Sequence, residues 1–122
     1  MKFLIAALLP VLAVSAPQMT LAAGGVTGNE VLESCRKFAT EKTATSPKEA
    51  YFMGVCSGMM GALIEVGLLL DGMRRFCLPV GVTDRQSTKV FISFLDAHPQ
   101  RLHEQATSLA VEAFHAAWPC KP

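Results

Sequence analysis

Four cysteines, Cys35, Cys56, Cys77 and Cys120, constrain this chain more than any other feature. The first two are symmetric about residue 45.5, inside the polar stretch Thr43-Ala44-Thr45-Ser46-Pro47. The last two are symmetric about residue 98.5, at His98-Pro99. If each midpoint is the tip of a helical hairpin, the two members of a pair face each other across it. The spacing therefore predicts two helical hairpins, each held by one disulfide.

The first residues, MKFLIAALLPVLAVSAPQMTLAAGG, carry one early lysine, then an apolar run, then small side chains. This is the pattern of a cleaved export signal rather than a membrane span. Pro17 disfavours a cut after Ala16, whereas Thr20 and Ala22 supply the small residues for a cut between Ala22 and Ala23. We read 1–22 as signal peptide and 23–122 as one domain, a size ordinary for a single core. No cysteine lies near the cut, so no lipid anchor is expected.

An even cysteine count behind an export signal argues for an oxidising compartment and two disulfides. The successive spacings of 21, 21 and 43 residues lack the close pairs that structural zinc requires. No metal and no cofactor are expected. Without Lys2 the chain has ten basic and ten acidic residues and no basic run. Nucleic acid and anionic membrane surfaces are therefore poor partners.

Helix starts are written clearly. Thr27-Gly28-Asn29-Glu30, Ser46-Pro47-Lys48-Glu49 and Thr83-Asp84-Arg85-Gln86 all fit the capping-box pattern, with Pro47 at the first helical position. His98 and Pro99 fill the same two positions for a fourth helix. Gly72 and Pro119 mark stops. These signals predict four helices, 28–41, 47–71, 84–97 and 99–117, and an all-α fold. Val90, Phe91, Phe94 and Leu95 form the apolar face of the third helix. Leu102, Ala106, Leu109, Ala113 and Phe114 form that of the fourth.

The second helix is apolar nearly all round from Phe52 to Leu70. That length admits a transmembrane reading, but its glycines, Ser57, Cys56 and Glu65 and the cysteine pairing favour a central helix wrapped by the other three. Gly54, Gly58 and Gly61 recur along it as a groove without side chains. Each glycine costs a helix about 1 kcal/mol relative to Ala, so a close neighbour is expected there. A helix of the same chain is one reading, and a dimer seam or ligand groove the other.

Helix geometry also separates the disulfide connectivities. Cys56 and Cys77 are 21 residues apart, about 30 Å along a continuous helix, against a bridging limit of about 7 Å between Cα atoms. Linking Cys35 to Cys77 requires the chain after Gly72 to double back beside the first helix. The symmetric solution, Cys35–Cys56 with Cys77–Cys120, is preferred.

No arrangement here points to catalysis. His103 and His115 lie about 120° apart on one helix and share no face, and His98 precedes that helix. The cysteines are expected to be oxidised, and there is no Gly-x-Ser-x-Gly turn. Glu65 sits in an apolar run that should raise its pKa unless it is paired with Arg74 or Arg75 or exposed on one edge. Asp71-Gly72-Met73-Arg74-Arg75-Phe76 reads as a charged connector between the hairpins. Asp71, Arg74 and Arg75 are its candidate contacts to a protein partner.

The order of residues then gains weight. Gly54-x-Cys56-x-Gly58 is followed by Phe76-Cys77-Leu78-Pro79, Gly81-Val82-Thr83, Phe94-Leu95-Asp96-Ala97-His98-Pro99 and Trp118-Pro119-Cys120. This string resembles the Rap/Tai family of type VI secretion immunity proteins, from about Leu32 to Cys120. The chain departs from the family at Met59 and Met60, where an aromatic and an aliphatic residue are common, and at Ala62, frequently glycine. The resemblance implies a small periplasmic helical protein, often a homodimer, that blocks a peptidoglycan-cleaving amidase toxin and is not itself an enzyme. A small periplasmic stress chaperone is the competing class, although zero formal charge and scattered histidines offer no acid switch. A small-molecule carrier using the glycine groove is a third.

Overall fold

The computed structural model describes residues 24–122, apart from the side chain of Met73. The expected signal peptide, 1–22, and its cut after Ala22 lie outside the described residues. Four α-helices follow one another: α1 (Gly28–Ala39), α2 (Pro47–Val66), α3 (Asp84–Ala97) and α4 (Ala106–Ala117). Short 3-10 turns occupy Gly67–Leu69, Gly72–Arg74 and Pro99–Arg101. The all-α class holds, and no strand occurs among the described residues.

The caps explain the starts. The Glu30 carboxylate accepts from the Thr27 backbone N–H at 2.8 Å and from its hydroxyl at 2.9 Å. At α2 the Glu49 N–H donates to Ser46 Oγ at 3.2 Å, but the Glu49 carboxylate reaches one residue further back, to the Thr45 N–H at 2.6 Å. At α3 the Gln86 N–H donates to Thr83 Oγ1 at 3.2 Å. The first N–H groups of α1 also find tertiary acceptors. Gly28 donates to the Glu104 carbonyl at 3.1 Å and Asn29 to that of Leu102 at 2.8 Å. A side chain at Gly28 would obstruct this, because its Cβ would lie 3.0 Å from the Leu102 carbonyl oxygen.

Both disulfides pair as the midpoints suggest. Cys35–Cys56 joins α1 to α2 with a Cα–Cα distance of 5.5 Å. Cys77–Cys120 joins the segments flanking the α3–α4 pair, with a Cα–Cα distance of 4.9 Å. The second staple lies in a small clasp. Cys77 N–H donates to the Trp118 carbonyl at 2.8 Å, and Phe76 forms an isolated bridge with Pro119. Charged pairs reinforce the first hairpin and its neighbours: Arg36 with Asp96 of α3, Lys37 with Glu49 of α2, and Arg85 of α3 with Glu41.

The core lies where α1, α3 and α4 meet: Val31 and Cys35 from α1, Phe91 and Leu95 from α3, Leu109 and Phe114 from α4. Phe76 enters from the connector and meets Phe114 edge to face, with ring centroids 5.3 Å apart. The expected inward faces of the last two helices are largely realised, with Phe91, Leu95, Ala106, Leu109, Ala113 and Phe114 buried. Val90 and Phe94 are half-buried, and Leu102 sits in the turn before α4.

Three expectations are corrected. The second helix is not wrapped by the other three: it buries only Cys56, Met60 and Leu63. Tyr51, Leu68 and Leu69, at 62%, 60% and 78% exposure, face solvent in or just after it. The reason is that α1 and α3 close the core together with α4, leaving α2 one face to cover. It also ends at Val66 rather than residue 71, tightening into a 3-10 turn where Phe76 presses on Gly67. The fourth helix begins at Ala106, not at residue 99. Pro99 and His98 do occupy the first two positions of a helix, but it is the one-turn Pro99–Arg101 segment. The intervening turn is held by Arg101, which donates from Nε to Glu104 at 2.7 Å.

Candidate functional site

The connector Asp71–Arg75 folds as an exposed turn, with the Arg74 N–H donating to the Asp71 carbonyl at 3.1 Å. His115 ties the connector to α4, its Nδ1 lying 2.7 Å from the Arg75 carbonyl oxygen. Asp71 and Arg75 are exposed on this turn. Arg74 borders a groove of about 820 Å³ that runs along α4.

Apolar groups supply much of the groove: Leu70 from the connector, Phe94 from α3, Val111 and Ala116 from α4. Thr107 and Ser108 add hydroxyls. His98 and His115, which share no helix, both line it, while His103 is exposed elsewhere. Each lining histidine has Nδ1 2.7 Å from a backbone carbonyl oxygen, Phe94 O for His98 and Arg75 O for His115. A carbonyl only accepts, so Nδ1 carries the proton in both rings and Nε2 is the open nitrogen.

Arg101 also lines the groove, but its charge is spent. Its guanidinium pairs with Glu104 at 2.7 Å and with Glu112 at 2.6 Å. Hydrogen bonds from Arg101 hold both carboxyls below their usual range, and the two carboxylates push the guanidinium pKa further up. Arg74, by contrast, has no carboxylate in ion-pair contact among the described residues.

The other sequence candidates are placed differently. Gly54 and Gly58 have open space where a Cβ would stand, and Gly61 has only the Asp84 carboxylate, at 3.9 Å. Among the described residues, no helix fills the face at Gly54 and Gly58, so packing against a neighbouring helix is not seen there. Glu65 is exposed on the same open side of α2, and Ser57 is half-buried. No group of three or more His, Cys, Asp or Glu side chains suited to a metal ion occurs among the described residues.

The model of Rap1a immunity proteins matches residues 27–120, nearly all that the structure describes. The chain belongs to the Rap1a immunity protein family. No curated protein and no solved structure matches it. Membership in the Rap1a family makes a toxin-binding role the frame for the two exposed features, the groove beside α4 and the bare face of α2. The connector arginines and two of the three glycines singled out from the sequence lie on the surface. Sequence reasoning missed the groove, because His98, Arg101 and His115 converge only after the turn at 102–105 sets α4 beside the end of α3.

Proposed function

We propose that this Rap1a-family chain is a periplasmic immunity protein that binds and neutralises a peptidoglycan amidase delivered by type VI secretion, and that it performs no catalysis itself. The observation that carries the reading is the family match along residues 27–120. The cross-linked body supports it: the Cys35–Cys56 bond and the Arg36–Asp96 and Lys37–Glu49 pairs join α1 to α2 and α3, while His115 and the Cys77–Cys120 bond anchor the end of the exposed connector. Such preorganisation lowers the ordering cost of binding. Asp71, Arg74 and Arg75 are the proposed toxin contacts.

The open face of α2 supports a homodimer. Gly54 and Gly58 lie one turn apart with Ala62 on the next turn, and Tyr51 and Leu69 flank them. At Gly54 and Gly58 this face admits a second backbone closely, and a two-fold axis there would let one copy of α2 cover the other. The segment Pro47–Leu69, 23 residues of mean hydropathy 1.7, is also long and apolar enough to cross a membrane. The Cys35–Cys56 bond ties it instead to α1, whose Arg36 and Lys37 carry their own ion pairs. That tether supports reading α2 as part of the helical domain rather than as a membrane span.

Producing a candidate type VI peptidoglycan amidase in the periplasm, with and without this protein, tests the leading reading. Protection from lysis is expected. Undiminished lysis, with both proteins exported and folded, rejects that pairing. Light scattering across concentrations tests the dimer.

A further inference from the structure

Within the groove beside α4, one cation is uncompensated. Arg101 is neutralised by Glu104 and Glu112, whereas Arg74 stands at the rim with no carboxylate partner among the described residues. Leu70, Phe94 and Val111 add apolar wall to the same groove, with His98 stacked on Phe94 and the Arg101–Glu112 pair beside them. The histidines contribute open Nε2 nitrogens, which accept hydrogen bonds when neutral. An unpaired guanidinium sharing a groove with apolar side chains matches an extended chain that presents a carboxylate beside an aliphatic side chain.

We infer that this groove binds a partner segment in extended conformation, with an Asp or Glu carboxylate on Arg74 and a neighbouring aliphatic side chain against Phe94 and Val111. Peptide N–H groups of that segment donate to His98 or His115 Nε2. Arg75 does not line the groove. The inference rests on the reading of the chain as a protein-binding immunity protein, and it names the chemistry of the segment that is gripped.

The test uses the isotopically labelled protein with both disulfides formed, and two capped tripeptides, acetyl-Leu-Glu-Leu-amide and acetyl-Leu-Gln-Leu-amide, followed by chemical-shift titration. The Glu peptide is expected to shift the Arg74 side-chain N–H and the amides of Val111 and His115, with a dissociation constant on the order of 1 mM. The Gln peptide and the Arg74→Met variant should each bind about tenfold more weakly, the loss of one charge-assisted hydrogen bond. Lys48→Met, which removes an exposed cation that does not line the groove, should bind like the parent. Equal binding of the two peptides, shifts centred on the separate basic groove lined by Arg36, Lys42 and Lys89, or no shifts at millimolar peptide would overturn the inference. Failure of the two readings is distinguishable: peptide binding without protection rejects the tested amidase pairing and keeps the groove, and protection that survives Arg74→Met without peptide binding rejects the groove.

Discussion

A Cβ on Gly67 would lie 2.2 Å from Cε2 of Phe76, closer than any real carbon contact. Phe76 is fully buried against Phe114 and sits one residue before Cys77, so its ring has little room to retreat. Gly67 has an ordinary helical φ of −53°. Its requirement is therefore steric and not conformational. Gly67→Ala should destabilise the fold by about 1 to 3 kcal/mol through overpacking, read from denaturant unfolding. In the double variant with Phe76→Leu the two losses should be less than additive. An unchanged unfolding midpoint in Gly67→Ala would contradict the contact.

Gly54 and Gly58 should behave in the opposite way. A Cβ at either position meets nothing within 4 Å, so alanine should stabilise dilute monomer by about 1 kcal/mol per site. The same substitutions should weaken self-association, because they fill the proposed seam. Thermal unfolding of dilute protein and sedimentation at high concentration separate the two effects. A loss of monomer stability would mean that the face is already covered.

The two disulfides should differ in reactivity. Cys35 and Cys56 are fully buried, whereas Cys77 and Cys120 are half-buried. Attack by an external thiolate needs access to sulfur. Dithiothreitol followed by alkylation should trap a species labelled at Cys77 and Cys120 before any label appears at Cys35 or Cys56. Simultaneous labelling of all four would show that reduction requires global opening. Each bond closes a loop contributing about 3 to 4 kcal/mol through the unfolded chain. Because each cysteine pairs with its neighbour in the sequence, oxidation in the order of emergence yields the native bonds directly.

Acid should loosen the joint between α1 and α2. A hydrogen bond from Lys37, helped by the Thr45 N–H and hydroxyl, lowers the Glu49 pKa from 4.5 to about 2. A depressed folded-state pKa stabilises the fold fully above the ordinary value and loses that contribution as pH falls through the folded one. The difference in thermal midpoint between the parent and Glu49→Gln should therefore be constant from neutral pH to about 5 and shrink toward pH 2. Carboxyl carbon titration of Glu49 should move upward in Lys37→Met. A Glu49 titration unaffected by that change would remove Lys37 as the cause.

Much of this was legible without coordinates because it depends on local chemistry. Thr27, Ser46 and Thr83 placed the starts of α1, α2 and α3, since an N-cap acts over three residues. The cysteine midpoints selected the pairing because a bridged hairpin must be nearly symmetric about its tip. The order Phe-Cys-x-Pro, His-Pro, Trp-Pro-Cys signalled the family. The apolar run in α2 misled: periodicity reports how apolar a helix is, and nothing in it says which neighbours exist to cover it. Pro99 marked a start correctly but not its length, because Arg101 and Glu104 close a turn that the pattern alone does not distinguish from a continuing helix.

The chain's own residues determined the helices, the cross-links and the class of partner, because caps, spacing and motif order act along the sequence. Tertiary structure alone decided that Gly67 and not Gly54 is pressed by a neighbour, that one side of α2 stays bare, and that Arg74 faces a groove with His98 and His115. These depend on which segments, far apart in the chain, come to share one volume. Close packing of Phe76 and Phe114 fixes that choice, and no periodicity records it.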